Sequence, residues 1–157
     1  IKSGSNSEKN FGKIKKMSIE MNASQINHNQ VSYIKFDLSK VDNINAALLQ
    51  IYGNSSDKYS YRFHVYALDN CDWDEVSLNW NNAPNLDREQ MRITQVGNTA
   101  HSYHQLDVTK LIRKCKQKEI TFVLIRELRQ LGDDSDNGKS CYLDTKESNH
   151  KPILSIW

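Results

Sequence analysis

Tyrosines interleaved with cations suit an acidic, ring-bearing ligand. A phenol ring stacks on an apolar ring face, and Lys or Arg pairs with a carboxylate or sulfate. The chain carries such residues at alternate positions in three stretches. They are Tyr33 and Lys35 in VSYIKFDLS, Gln50 and Tyr52 in INAALLQIYG, and Arg62, His64 and Tyr66 in YRFHVYALD. Alternation puts each set on one face of a strand, so together they form a candidate groove for an acidic chain. The plainer reading is the ordinary solvated face of an antiparallel sheet. The sets need not even share a surface, because consecutive strands of a sandwich often belong to different sheets. DKYSYR offers a second cluster, Lys58, Tyr59, Tyr61 and Arg62, against the plain reading of a hairpin tip.

WDEVSLNWNNAP holds Trp73 and Trp80. Trp80 is expected to fill a corner of the core, with Asn81 and Asn82 tying up turn backbone; a stacking platform is the competing reading. Asp133, Ser135, Asn137 and Asp144 fall at positions 1, 3, 5 and 12 of a calcium-loop spacing, with Gly138 at 6. An acidic hairpin loop is the commoner explanation, so the cofactor expectation is none, with a structural calcium held open. Arg113, Lys114, Lys116 and Lys118 fit the cation preference of a helix C-terminus. Arg126 and Arg129 flank Glu127, and local pairing would absorb both. The five histidines form no HExxH; His101 and His104 alone are a weak metal pair. Asp74 and Glu75 are adjacent, which points them in opposite directions on a strand and gives no acid–base geometry. Catalysis is therefore not expected.

Most of these residues sit in runs of period two. Ile34, Phe36 and Leu38 share a face, as do Ala47, Leu49 and Ile51, and Phe63, Val65 and Ala67. Met17, Ile19 and Met21 read as one face of an early strand; KSCYLDT and PILSIW read as two closing strands. EITFVLIRE is a nearly continuous apolar run of strand length. Turn residues separate the runs at 53–57, 97–98 and 133–138. Only DVTKLIRKCKQK has helical spacing, through Val108, Leu111, Ile112 and Cys115, with Asp107 or Thr109 able to cap two or three turns. The expected fold is all-β, an antiparallel β-sandwich with one short helix, filling residues 1–157 as one domain.

The 157 residues carry 21 basic and 19 acidic side chains, a net charge of +2. That balance lacks the basic excess of a nucleic-acid binder. No apolar run is long enough to span a membrane as a helix. The chain opens on Ile1, the expectation being a processed or excised piece. Cys71, Cys115 and Cys141 have no CxxC spacing. Three buried thiols are expected, with one disulfide plus a free thiol as the alternative.

The order of landmarks resembles the DNRLRE domain, also classed as carbohydrate-binding module family 96. Asn10-Phe11-Gly12 matches its early turn, YIKFDLS a YLKFDLS-type strand, and Ala47, Leu49, Ile51 and Tyr52 the next strand. Trp73, Glu75, Trp80, Asn81, Asn82 and Pro84 match a W-x-E then W-N-N-x-P pattern. Leu106-Asp107-Val108-Thr109 matches an F-D-V-T pattern, and Thr145-Lys146-Glu147 with Pro152, Leu154 and Ile156 the closing S-R-E and P-x-L-x-I. Asn79, Leu106 and Thr145-Lys146 depart from the family's usual Thr, Phe and Ser-Arg. The resemblance implies a jelly-roll sandwich, secreted or at the cell surface, and a non-catalytic module for an acidic polysaccharide such as alginate or a glycosaminoglycan. It implies linkage to a polysaccharide lyase or glycoside hydrolase as catalytic partner. The alternative is a structural or adhesion module with no glycan ligand.

Overall fold

The computed structural model describes residues 1–22, 25–55, 61–69, 71–97, 99–127 and 140–157. Period-two runs become strands: β1 (Lys16–Ile19), β2 (Ser32–Asp37), β3 (Ala47–Ser55) and β4 (Tyr61–Leu68). β5 (Arg92–Gly97), β6 (Ser102–Asp107), α1 (Thr109–Ile112), β7 (Glu119–Arg126), β8 (Cys141–Asp144) and β9 (Ile153–Ile156) follow. The alternation does not announce β5 and β6. β6 turns His104 inward, a polar residue where the pattern leads one to expect an apolar one. His104 is buried because its two ring nitrogens find partners there, the Tyr61 hydroxyl at 3.3 Å and the Ile51 carbonyl at 3.2 Å.

One sheet runs β1-β8-β3-β6, with β9 also paired to β3; the other runs β2-β7-β4-β5. All pairings are antiparallel. Successive strands alternate between the two sheets for most of the chain, which is the jelly-roll arrangement. Ile19, Leu49, Ile51, Leu106 and Leu143 of the first sheet pack on Phe63, Val65, Ile120, Phe122 and Leu124 of the second.

β7 is apolar almost throughout because both its faces are covered. Ile120, Phe122 and Leu124 face the sandwich core. Val123 and Ile125 belong to a second cluster on the opposite face, with Met21, Val31, Tyr66 and Leu68, packed by Tyr33, Trp80 and Leu86. The segment between β4 and β5 thus lies over the outer face of the four-stranded sheet. Two expectations shift accordingly. Met21 parts from Met17 and Ile19 to join this outer cluster, and Trp80 fills it instead of the inter-sheet core. Arg126 also differs from expectation: it is 1% exposed, with its guanidinium 5.5 Å from the Tyr61 ring centroid, while Glu127 pairs with Arg62. Arg129 lies outside the described residues.

α1 is one turn, shorter than the spacing predicts. Asp107 Oδ1 accepts from the Thr109 amide, whereas Thr109 Oγ1 turns away to accept from the Ala47 amide at 2.9 Å. Beyond Ile112, Lys114 and Cys115 donate to Leu111 and Ile112, three residues back, which tightens and ends the helix. Arg113 does not complete a cationic helix end. It donates to the Ile44 and Asn45 carbonyls, tying the helix to the entry of β3. All three cysteines are free thiols, but only Cys141 is buried; Cys71 and Cys115 are half-buried at the surface.

Candidate functional site

The sequence-derived groove does not assemble, because its residues divide between two sheets. Tyr33, Lys35, Arg62, His64 and Tyr66 belong to the four-stranded sheet, and Tyr52 to the five-stranded one. The first group is in large part covered. Tyr66 is 3% exposed within the outer cluster. The Tyr33 hydroxyl donates to the Pro84 carbonyl at 3.1 Å, and burial, partly offset by Arg88, pushes its pKa up to about 12. Lys35 Nζ donates to the carbonyls of Cys71 at 2.5 Å and Trp73 at 2.7 Å and lies 4.7 Å over the Trp73 ring. These residues hold the segment between β4 and β5 against the sheet. Arg62 pairs with Glu127 at 2.5 Å, and His64 Nδ1 lies 3.0 Å from Thr94 Oγ1. Burial, then the Arg92 charge, lowers the His64 pKa. Lys58, Tyr59, Asp133, Ser135 and Asn137 lie outside the described residues.

Tyr52 has a different set of neighbours. On the outward face of the five-stranded sheet it meets Tyr103 edge-on, its cross-strand partner, at 5.0 Å between centroids. His150 stacks on Tyr52 at 4.0 Å and His101 at 6.1 Å. Tyr142 stands on the same face, opposite Asn54. Tyr103 and Tyr142 are each 40% exposed, so ring surface is open to solvent. Gln50 and Gln105 pair across the next outward position and supply amide donors and acceptors beside the rings.

A small ionic cluster fixes one border of this plate. Asp144 is 4% exposed and accepts from Lys16 Nζ at 2.8 Å and His150 Nδ1 at 3.2 Å. Burial alone would raise the Asp144 pKa, but hydrogen bonds from Lys16, His150 and Ser148 outweigh it and hold the carboxyl below its ordinary 3.8. The carboxylate proposed as the last calcium ligand is thus engaged by a lysine and a histidine. No cluster of three or more His, Cys, Asp or Glu with metal-site geometry occurs among the described residues. His101 and His104 do not converge, since one faces solvent and the other the core. Lys13, Lys15 and Lys151 are exposed on the two segments that border the plate, joined where the Thr145 amide donates to the Lys15 carbonyl, whereas Lys16 and Lys146 are held by Asp144 and Glu75.

A family model for carbohydrate-binding module family 96 matches residues 1–157. The chain belongs to carbohydrate-binding module family 96. No curated protein matches it closely enough to be read beside it. An open tyrosine face can take the apolar face of a pyranose, and side-chain amides can hydrogen-bond its hydroxyls.

The landmark motifs of this family 96 module meet elsewhere, around a cleft of about 500 Å³ lined by Phe11, Met17, Ile34, Phe36, Trp73 and Lys146. Their contacts there are structural. Asn10 Nδ2 donates to the Glu75 and Leu78 carbonyls, and Lys146 pairs with Glu75. A Cβ on Gly12 would stand 2.3 Å from the Glu75 carbonyl oxygen, so only glycine allows this approach. Thr145 Oγ1 donates to the Ile14 carbonyl at 2.6 Å. Trp73 Nε1 donates to Thr121 Oγ1 at 2.9 Å. In the Asn-rich turn, Asn82 accepts from the Asn79 amide and donates to the Ser77 carbonyl, while Asn79 Oδ1 accepts from the Asn81 and Asn82 amides. Asn79, a departure from the usual Thr, therefore does the turn-capping assigned to Asn81.

The residues that sequence reasoning missed are Tyr103, Tyr142, His101 and His150. Alternation in SYHQLD and CYLD places both tyrosines outward. Nothing in the order of residues says that β6, β3 and β8 lie side by side, or that the turn after β8 folds His150 onto Tyr52.

Proposed function

We propose that this carbohydrate-binding module takes an acidic polysaccharide on the outward face of its five-stranded sheet. The observation that carries the reading is the solvent-open ring plate of Tyr52, Tyr103, His150, His101 and Tyr142, bordered by exposed lysines. The rings stack on sugar faces, and the lysines meet uronate or sulfate groups. The module would work without catalysis, in a secreted or cell-surface protein. It would hold a linked lyase or hydrolase at the polymer and so raise that domain's effective concentration there.

Affinity electrophoresis tests this reading. The folded module is run through gels containing alginate, hyaluronan, chondroitin sulfate, heparin, pectin or neutral xylan, at low and high salt. An acidic polymer is expected to retard it. Salt relieves the retardation, because exposed ion pairs are screened. Tyr103→Ala weakens binding about tenfold, the loss of one stacking partner. Retardation by neutral xylan alone would remove the acidic preference. Mobility unchanged in every gel would favour a structural module that packs on a neighbouring domain.

A further inference from the structure

Among the described residues, eight large apolar side chains are exposed, and four of them share the outward face of the five-stranded sheet. Two are Tyr103 and Tyr142 of the ring plate. The others are Ile153 at 45% and Trp157 at 61% exposure. Register places all four. β8 and β9 both pair with β3 and lie end to end along the same edge of it. Tyr142 stands opposite Asn54 and Ile153 opposite Gln50, while Trp157 exchanges backbone hydrogen bonds with Ala46. Leu154 and Ile156 turn inward to the core, which directs Ile153, Ser155 and Trp157 outward.

From Ala46 to Asn54 is eight steps along β3, a length of about 26 Å for an extended strand. Across the sheet the plate is shorter, running from Tyr103 through Tyr52 to His150, where the Lys16–Asp144–His150 cluster forms its border on the β1 side. Amide side chains are interspersed with the apolar ones along the strip. Asn54 adjoins Tyr142, and Gln50 with Gln105 lies beside Ile153. Hydroxyl-bearing rings need that mixture, whereas a purely apolar partner would leave the amides unpaired.

We infer that the polysaccharide lies parallel to β3 and β9, with Trp157 as a far stacking point beyond the plate of Tyr52, Tyr103 and Tyr142. The module then contacts a stretch of several sugar units along that length. This inference rests on the acidic-polysaccharide reading of the same face, and it adds a direction, a minimum ligand length and a residue.

The test uses size-fractionated oligosaccharides of alginate, hyaluronan and chondroitin sulfate, titrated calorimetrically and by tryptophan fluorescence. An octasaccharide is expected to bind more tightly than a disaccharide of the same polymer and to quench the exposed Trp157. Trp157→Ala lowers octasaccharide affinity about tenfold and leaves disaccharide affinity unchanged. Tyr103→Ala weakens both. Octasaccharide affinity within about twofold of wild type in Trp157→Ala would overturn the strand-parallel path and leave the ring plate standing. Absence of binding by the wild-type module to every probe would overturn the functional reading, and this inference with it.

Discussion

At the residue scale, Lys35 shows how one side chain can carry the chemistry of a ligand contact and have a structural job. Its ammonium is a plausible uronate partner when read beside Tyr33. In the folded chain it satisfies two backbone carbonyls of the segment over its own sheet and lies on the Trp73 ring. Lys35→Met keeps the aliphatic stem and removes the donor. Leaving the two carbonyls without it is expected to cost about 2 kcal/mol of stability, measured by urea denaturation. Retardation of the folded variant in polysaccharide gels should match wild type. A variant as stable as wild type but with lost binding would return Lys35 to the ligand site. Tyr52 was legible as a candidate because its ring alternates away from Leu49 and Ile51. Its partners were not, since they come from positions about 50 and 100 residues away, brought close by strand pairing and a folded turn.

At the scale of elements, the connection from β4 to β5 is the least expected feature. A strand with alternating polar residues reads as solvated on one face, and β4 reads so through His64 and Tyr66. The connection instead folds back and buries Tyr66, Val123 and Ile125 under Trp80 and Leu86. The strongest sequence sign of this cover was β7, whose apolar run exceeds what a one-sided strand requires. Trp80→Ala is expected to lower stability by about 2–3 kcal/mol, seen as a fall in Tm, because it opens a void in that second cluster. A change below about 0.5 kcal/mol would mean that the connection does not act as a cover. The one-turn α1 follows a similar logic. Periodicity gives four apolar positions at helical spacing, but the Lys114 and Cys115 amides bond three residues back and end the helix after one turn, while the Arg113 side chain ties it to the entry of β3.

At the scale of the whole molecule, two buried ionisable groups make the fold acid-sensitive in two windows. Burial lowers the His104 pKa below 6.5, against a smaller opposing effect of its bond to the Ile51 carbonyl. The native state therefore holds the neutral ring. Its contribution is complete above about 6.5 and is lost as pH falls below that value, where the unfolded chain takes the proton first. Asp144 is held below 3.8, so its contribution is present above that value and is lost as pH falls through the depressed one. Tm measured against pH should decline first below about 6.5 and again below about 3.8. His104→Leu should lessen the first decline, to which the lowered His64 also contributes, even if it lowers Tm overall. A wild-type Tm that is level between those two values would show that His104 carries no such linkage.

Local pattern determined the sandwich. Side chains alternate at period two whatever the partner strand, so the inward sets of β2, β3 and β4 could be read from spacing alone, and the family landmarks from their order. Which outward residues meet one another depends on sheet assignment and on what lies over each sheet. Both are set by long-range pairing and by connections whose resting place no local pattern encodes. The tertiary structure therefore placed Tyr33, Lys35 and Tyr66 in the scaffold. It left Tyr52 with Tyr103, Tyr142 and His150 on the face that remains open.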